Sequence, residues 1–366
     1  MTTDQRVMLF GQPGIGKSTL AAKLGRTLRE AGRVPLCLGA DPGSPAFGVP
    51  GALCLGEWQD DAWTLTDMEA LCSLDAGRYR LPLVSALFRL LKRYHPMGPL
   101  IVDAPGVVRG GVGAELLTAI VEAAAIDTVL VLVREGEPLP LQRELECLQC
   151  RLYRISAVEE ACRPSKKARA RNRTRLWDSY LEQGVALRIA FSEMPLSGMP
   201  PPLEQADAWV GRQVALLEEG TTRALGEVLG TEEEGLRIRM PPVEARRPVL
   251  LVRDAQRGED GFLNKAKPGA PPVNWYVPPA DIMHRPDSAT EGGPRPVVSM
   301  GIAHASLING VFGDPLLHLR LRHQRRSLLF DIGEAGRLPG RIAHQVSDLF
   351  ISHAHIDHIG GFLWLL

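Results

Sequence analysis

Along the chain, short unbroken apolar runs alternate with longer stretches whose apolar positions recur every three or four residues. Residues 6–10 (Arg6-Val7-Met8-Leu9-Phe10) read as a buried strand. Residues 18–30 follow with Leu20, Ala21, Leu24 and Leu28 at helical spacing, and Ala31-Gly32 ends that helix. Residues 34–38 predict a second strand. Residues 67–94 predict a mostly helical stretch with Leu83, Leu87, Leu90 and Leu91 on one face. A strand at 99–103, a helix at about 114–125 and a strand at 128–133 complete the series. Strands without polar alternation, separated by helices, predict an α/β fold whose parallel sheet is covered on both faces. The pattern then breaks: eight prolines (268, 271, 272, 278, 279, 286, 294, 296) interrupt residues 254–296, a composition that reads as a semi-extended connector in which Trp275-Tyr276-Val277 could dock. Short strands return at 297–301, 316–321, 327–330 and 348–351.

The first strand leads into Gly11-Gln12-Pro13-Gly14-Ile15-Gly16-Lys17-Ser18-Thr19, the full G-x-x-x-x-G-K-[ST] phosphate loop between a strand and a helix. Its glycines let backbone N–H groups reach phosphate oxygens, and the helix N-terminus adds partial positive charge. Gly11, Gly14, Ile15, Gly16, Lys17, Ser18 and Thr19 are therefore expected to hold a nucleoside triphosphate. Lys17 would neutralise the β- and γ-phosphates, and the Ser18 hydroxyl suits Mg²⁺. Two further acids stand at strand ends. Asp103 closes the strand at 99–103 and is expected to reach Mg²⁺ directly or through water. Asp41, in Asp41-Pro42-Gly43-Ser44, could hold Mg²⁺ or take a proton from an attacking hydroxyl, and an Asp-Pro-Gly turn alone would explain it as well. No Asn-Lys-x-Asp follows the strand at 128–133, so guanine selection has no support.

Residues 163–175 hold seven cations and no acid. They follow the last nucleotide-domain strands, where a lid would close over phosphates, and Arg169 and Arg173 share one helical face. Trp177 and Tyr180 continue that face. Over the 366 residues, acidic and basic side chains are equal at 42 each, so any polyanion site is local rather than global. Six cysteines lack framework spacing; Cys147-x-x-Cys150, expected on a helix, is a lone pair and a weak zinc signal. With no apolar run of membrane length and no secretory signal, the expected location is cytoplasmic, with no membrane partner. Oligomeric state is not legible.

In order, the phosphate loop, Asp41-Pro42-Gly43-Ser44-Pro45-Ala46-Phe47-Gly48-Val49-Pro50-Gly51, Asp103-Ala104-Pro105-Gly106, and the Arg169/Arg173 stretch ending in Trp177-Asp178-Ser179-Tyr180 resemble the polynucleotide 5′-hydroxyl-kinase family of pre-mRNA cleavage and ribosomal RNA processing. The resemblance covers roughly residues 5–252. It implies a P-loop kinase domain over residues 1–195 and a small β-rich region over 196–253. ATP with Mg²⁺ would be the donor and an RNA or DNA 5′-hydroxyl end the acceptor. It makes Lys17, Asp41, Arg169 and Arg173 the catalytic candidates and Ser18, Asp41 and Asp103 the Mg²⁺ candidates. The chain departs from the family at two places: Ser44 replaces the usual Gln, and Val107 stands where an acceptor-clamping Trp is common. A small-molecule kinase and a nucleotide-binding switch are the alternative readings.

Eight of the nine histidines lie at or after His284. Four potential ligands, His353, His355, Asp357 and His358, fall within six residues after an apolar strand, a spacing that suits two zinc ions. The segment resembles the metallo-β-lactamase fold, and Phe330-Asp331-Ile332-Gly333-Glu334 is similar to ribonuclease-Z-like members. By that resemblance His353 and His355 serve one zinc, Asp357 and His358 the other, and Asp331 supports them. Residues 297–366 are too few for such an αββα domain. They are expected to be its truncated N-terminal part, without hydrolase turnover and with weak zinc affinity.

Overall fold

The unbroken apolar runs become the centre of one sheet. The computed structural model describes residues 5–96, 98–192, 194–232, 235–266, 296–311, 313–324 and 326–365. In chain order the first half holds β1 (Arg6–Gly11), α1 (Lys17–Glu30), β2 (Leu36–Gly39), β3 (Ala52–Gln59), β4 (Ala62–Ala70), α2 (Arg80–Tyr94), β5 (Leu100–Asp103), α3 (Gly110–Ala123), β6 (Thr128–Val133), α4 (Gln142–Glu146), β7 (Arg151–Ser156) and α5 (Lys166–Tyr180). The strands pair in the order β4-β3-β2-β5-β1-β6-β7. From β2 to β7 in that order the pairing is parallel, whereas β3 runs antiparallel to both β2 and β4. Parallel pairing sends the C-terminal ends of β2, β5 and β1 to one edge of the sheet, where ligands of open α/β folds bind.

Three local expectations are corrected. Residues 67–70 end β4 rather than beginning a helix, and α2 starts only at Arg80. The β3–β4 hairpin wins because its faces are occupied from both sides. Trp58 and Trp63 pack edge to face at 5.0 Å, while Arg93 of α2 binds both Asp67 and Glu69. α3 begins at Gly110, earlier than expected; a Cβ on Gly113 would lie 3.0 Å from the Val107 carbonyl, so a glycine suits this close approach. Cys147 and Cys150 are not on a helix: α4 ends at Glu146 and Cys150 immediately precedes β7.

A second sheet contains β8 (Val185–Ala190), β9 (Leu196–Gly198), β10 (Arg212–Glu218), β11 (Thr221–Glu232), β12 (Gly235–Met240), β13 (Val249–Arg257) and β14 (Leu263–Lys265), with the short α6 (Ala206–Trp209) before β10. Its order is β14-β13-β10-β11-β12-β8, and β9 joins β13. It therefore draws β8 from before residue 196 and carries β13 and β14 past residue 254. Of the Pro-rich stretch, residues 267–295, including Trp275, lie outside the described residues.

The two sheets share one core. Val7, Leu9, Cys37 and Ile101 from the first pack with Ala215, Leu225, Leu251 and Leu263 from the second, around Trp177 of α5. Polar bonds register the join. Trp177 Nε1 donates to Glu227 at 2.6 Å, Gln213 Nε2 donates to the Pro50 carbonyl at 2.8 Å, and Thr222 Oγ1 donates to the fully buried Glu69 at 3.1 Å. The opposite face of the first sheet is filled by α2 and α3 through Leu83, Leu87, Leu90, Leu116 and Ile120.

The described residues from 296 onward form a separate compact unit. Its five strands, β15 (Val297–Met300), β16 (Ala303–Leu307), β17 (Leu317–Leu321), β18 (Ser327–Phe330) and β19 (Asp348–Phe350), pair in chain order. All pairs are antiparallel except β18–β19. Ile308, Leu316, Leu329, Ile332 and Leu338 make its core. Among the described residues, no helix is long and apolar enough to cross a membrane.

Candidate active site

At the end of β1 the chain turns through residues 11–16 and enters α1. Gly14 and Gly16 take left-handed φ angles of 81° and 100°, which side-chain-bearing residues rarely adopt. The loop is also pinched. A Cβ on Gly14 would lie 2.3 Å from Cα of Arg163, the first residue of the basic stretch. One on Gly106, just after β5, would lie 2.5 Å from Pro13. The cationic segment thus starts directly on the phosphate loop, as a lid position requires. Ile15 anchors the loop by packing into the shared core, while Thr19 is exposed on α1.

Lys17 is buried, and its Nζ donates to the carbonyls of Gly11 (2.9 Å) and Gln12 (3.2 Å). Burial lowers its pKa, while the charges of Asp103 and Asp41 act to raise it. Next to it, the Ser18 hydroxyl donates to Asp103 Oδ2 at 2.6 Å. Burial pushes the Asp103 carboxyl up to about 6; the Ser18 hydrogen bond and Lys17 oppose that rise, and Asp41 adds to it. A hydroxyl and a carboxylate side by side at a helix N-terminus, with an ammonium at hand, fit the oxygen-donor set that Mg²⁺ takes beside phosphate. Ser18 and Asp103 would hold that ion.

Asp41 closes the space from β2. Its Oδ1 accepts from the N–H groups of Gly43 (3.0 Å) and Ser44 (3.1 Å), so the Asp-Pro-Gly turn and a carboxylate at the strand end coexist. Over the turn lies α5, whose Ser165 side chain caps it by accepting from Ala168 N at 3.1 Å. Arg169 and Arg173 occupy one face, and their partners differ. The Arg169 Nε is buried without a hydrogen-bond partner among the described residues. Arg173 donates to Leu263 O (2.7 Å), Gly43 O (3.2 Å) and Asn264 Oδ1 (3.0 Å). Its pKa is lowered by burial first and by the Arg169 charge second, with Asp41 pulling the other way. Trp177 and Tyr180 stack at 5.6 Å and face the second sheet, so their role is packing. Leu263 and Asn264 were not legible as neighbours of this site: they lie 90 and 91 residues from Arg173, and no local spacing announces them.

The buried Asp103 makes stability depend on pH. Its folded-state pKa is raised, so its stabilising contribution is complete below the ordinary carboxylate range and is lost as pH rises through about 6. Asp103→Asn removes the buried charge and keeps an acceptor for Ser18. By calorimetry on ligand-free protein it should raise Tm by roughly 5 °C near pH 8 and leave it nearly unchanged near pH 4. Equal shifts at both pH values would refute this account.

The C-terminal histidines gather in one cluster. His353 Nε2 lies 3.2 Å from His355 Nδ1, and the rings of His353 and His358 are 3.9 Å apart. His358 Nδ1 is 2.9 Å from Asp331 and its Nε2 is 3.4 Å from Asp357. Asp331 also accepts from the backbone and hydroxyl of Ser352. Among the described residues, no group of three or more His, Cys, Asp or Glu is placed to hold a metal. The expected zinc set of His353, His355, Asp357 and His358 is therefore an expectation from sequence alone.

Residues 11–183 match the family model described as mRNA cleavage and polyadenylation factor CLP1 P-loop. The polyribonucleotide 5′-hydroxyl-kinase of Pyrococcus abyssi is 23% identical over 199 residues, covering 53% of this chain and 55% of that protein. Its counterpart from Pyrococcus horikoshii is 24% identical over 200 residues, covering 52% and 54%. The chain therefore spans about half the length of the curated relatives it matches. Among solved structures, Clp1p in its complex with Pcf11p superposes with a TM-score of 0.58 at 14% identity, over 70% of this chain and 75% of that one. A second structure of the Pcf11p–Clp1p interface gives 0.57 at 15%, with the same coverage. The N-terminal half of the chain is thus similar to the CLP1 P-loop family and to polyribonucleotide 5′-hydroxyl-kinases, and its fold is the Clp1-like P-loop fold.

Proposed function

We propose that this chain is an ATP-dependent polynucleotide 5′-hydroxyl kinase of RNA processing, with its active site at the C-terminal edge of β2, β5 and β1. One observation carries the reading: Lys17, the Ser18–Asp103 pair and the Asp41 turn meet at that edge beneath Arg169 and Arg173. Lys17 and the loop amides bind the triphosphate, and Arg169 draws charge from the transferring group. When bound, Mg²⁺ screens the β- and γ-phosphate charge. Asp41 orients the acceptor hydroxyl and takes its proton as oxygen bonds to the γ-phosphorus; the bond to the β–γ bridging oxygen breaks and ADP leaves.

The test is transfer from γ-labelled ATP to a 5′-hydroxyl RNA, with the matching DNA and a 5′-phosphorylated RNA alongside. Label on the 5′-hydroxyl RNA and none on the phosphorylated strand is the expected result. Slow hydrolysis indifferent to RNA would instead support a nucleotide-binding switch, a reading favoured by Val107 at the clamp position. Transfer only to a small alcohol would point to a small-molecule kinase. For residues 297–366 the metallo-β-lactamase-like reading rests on Asp331 and the His353–His358 sequence pattern alone. Zinc uptake by the full chain in equilibrium dialysis would support it, and none would overturn it.

A further inference from the structure

Of the four arginines of α5, Arg169 and Arg173 share one face but are unequal in their surroundings. Three sides of the Arg173 guanidinium are occupied by Leu263 O, Asn264 Oδ1 and Gly43 O. Arg169 keeps a buried, unpartnered Nε among the described residues. We propose that Arg173 is a positioning residue that fixes the Asp41 turn, oriented for this task by Asn264, and that of this pair Arg169 is the one left to meet phosphate. The first clause rests on the reading of Asp41 given above.

The link runs through a single peptide unit. The carbonyl of Gly43 accepts from Arg173, and the N–H of the same unit, that of Ser44, donates to Asp41 Oδ1. A cation on the carbonyl polarises the unit and strengthens its N–H as a donor. The turn also has no slack on its far side, where a Cβ on Gly43 would lie 2.3 Å from the Leu74 carbonyl. Asn264 is itself held. Its Nδ2 donates to both carboxylate oxygens of Asp260, at 3.4 and 3.2 Å, which turns Oδ1 toward Arg173. Leu263 N donates to Thr174 Oγ1 at 2.8 Å, so β14 grips α5 on either side of the guanidinium. A strand of the second sheet thus reaches the proton-accepting turn of the first through one arginine. A phosphate ligand needs free donors; a brace needs filled ones.

The experiment uses the full chain with Asn264→Ala, Arg173→Lys and the double variant, all confirmed folded by unchanged melting. Asn264→Ala is expected to lower kcat for a 5′-hydroxyl RNA roughly tenfold with KM for ATP unchanged, because a small misplacement of a reacting group is costly. Arg173→Lys keeps the charge and loses the fork, so it should lower kcat at least as much. The double variant should be no worse than Arg173→Lys, since both act on one link. Wild-type kcat in Asn264→Ala, a raised KM for ATP with kcat unchanged, or additive losses would overturn the proposal. A second measurement does not need catalysis: exchange of the Ser44 amide, followed by NMR, should quicken about tenfold in Asn264→Ala, and an unchanged rate overturns the brace. If the parent transfers no phosphate, the kinase reading fails while the exchange result still decides this one.

Discussion

Lys17→Ala should cut phosphoryl transfer by on the order of 10²–10³-fold and weaken ATP binding at least about tenfold. The side chain is buried with its ammonium on the carbonyls of Gly11 and Gln12, poised inside the loop rather than extended into solvent. It is also a nearby cation opposing the burial of Asp103. Its loss removes positive charge where the phosphates sit and leaves the adjacent carboxyl less easily ionised. Equilibrium dialysis with ATP and the labelled-transfer assay read the two effects separately. Parental binding and transfer in this variant would remove the basis for placing a triphosphate at the loop.

The second large effect is expected at Asp41. Asp41→Asn should lower kcat by roughly 10²–10⁴-fold while ATP affinity stays within about threefold. The substitution is selective because the amide oxygen can still accept from Gly43 and Ser44, the two bonds that shape the turn. What disappears is the ability to take a proton. Asp41→Ala would lose both and so distinguish less. A near-normal kcat in Asp41→Asn would mean that the strand-end acid is only a turn residue.

Much of this site was legible before any coordinates. The phosphate loop is a run of consecutive residues whose glycines, lysine and hydroxyl serve one ligand, so its chemistry is written locally. Asp41 and Asp103 were found because each ends an apolar run, and a parallel sheet sends such ends to one edge. The i, i+4 spacing of Arg169 and Arg173 placed them on one helical face, where they lie. Short-range patterning failed where partners are remote. Residues 67–70 looked helical from periodicity, yet Arg93 and the Trp58–Trp63 contact hold them in a hairpin. The four ligand-type side chains at 353–358, by contrast, are near neighbours in the chain and do cluster, beside Asp331.

By itself, then, the amino-acid order determined that a triphosphate loop opens an α/β sheet, that two acids flank it and that a cationic helix follows. Each of these depends on residues within a few positions of one another, where backbone geometry leaves little choice. Only the tertiary structure decided that β8 and β14 belong to one sheet, that Arg163 lies on Gly14, and that Arg173 is filled by Leu263, Asn264 and Gly43. The contacts of Arg163 and Arg173 join residues 90 to 149 positions apart. Such contacts exist only once a common core has closed, because no local preference can specify a partner it cannot reach.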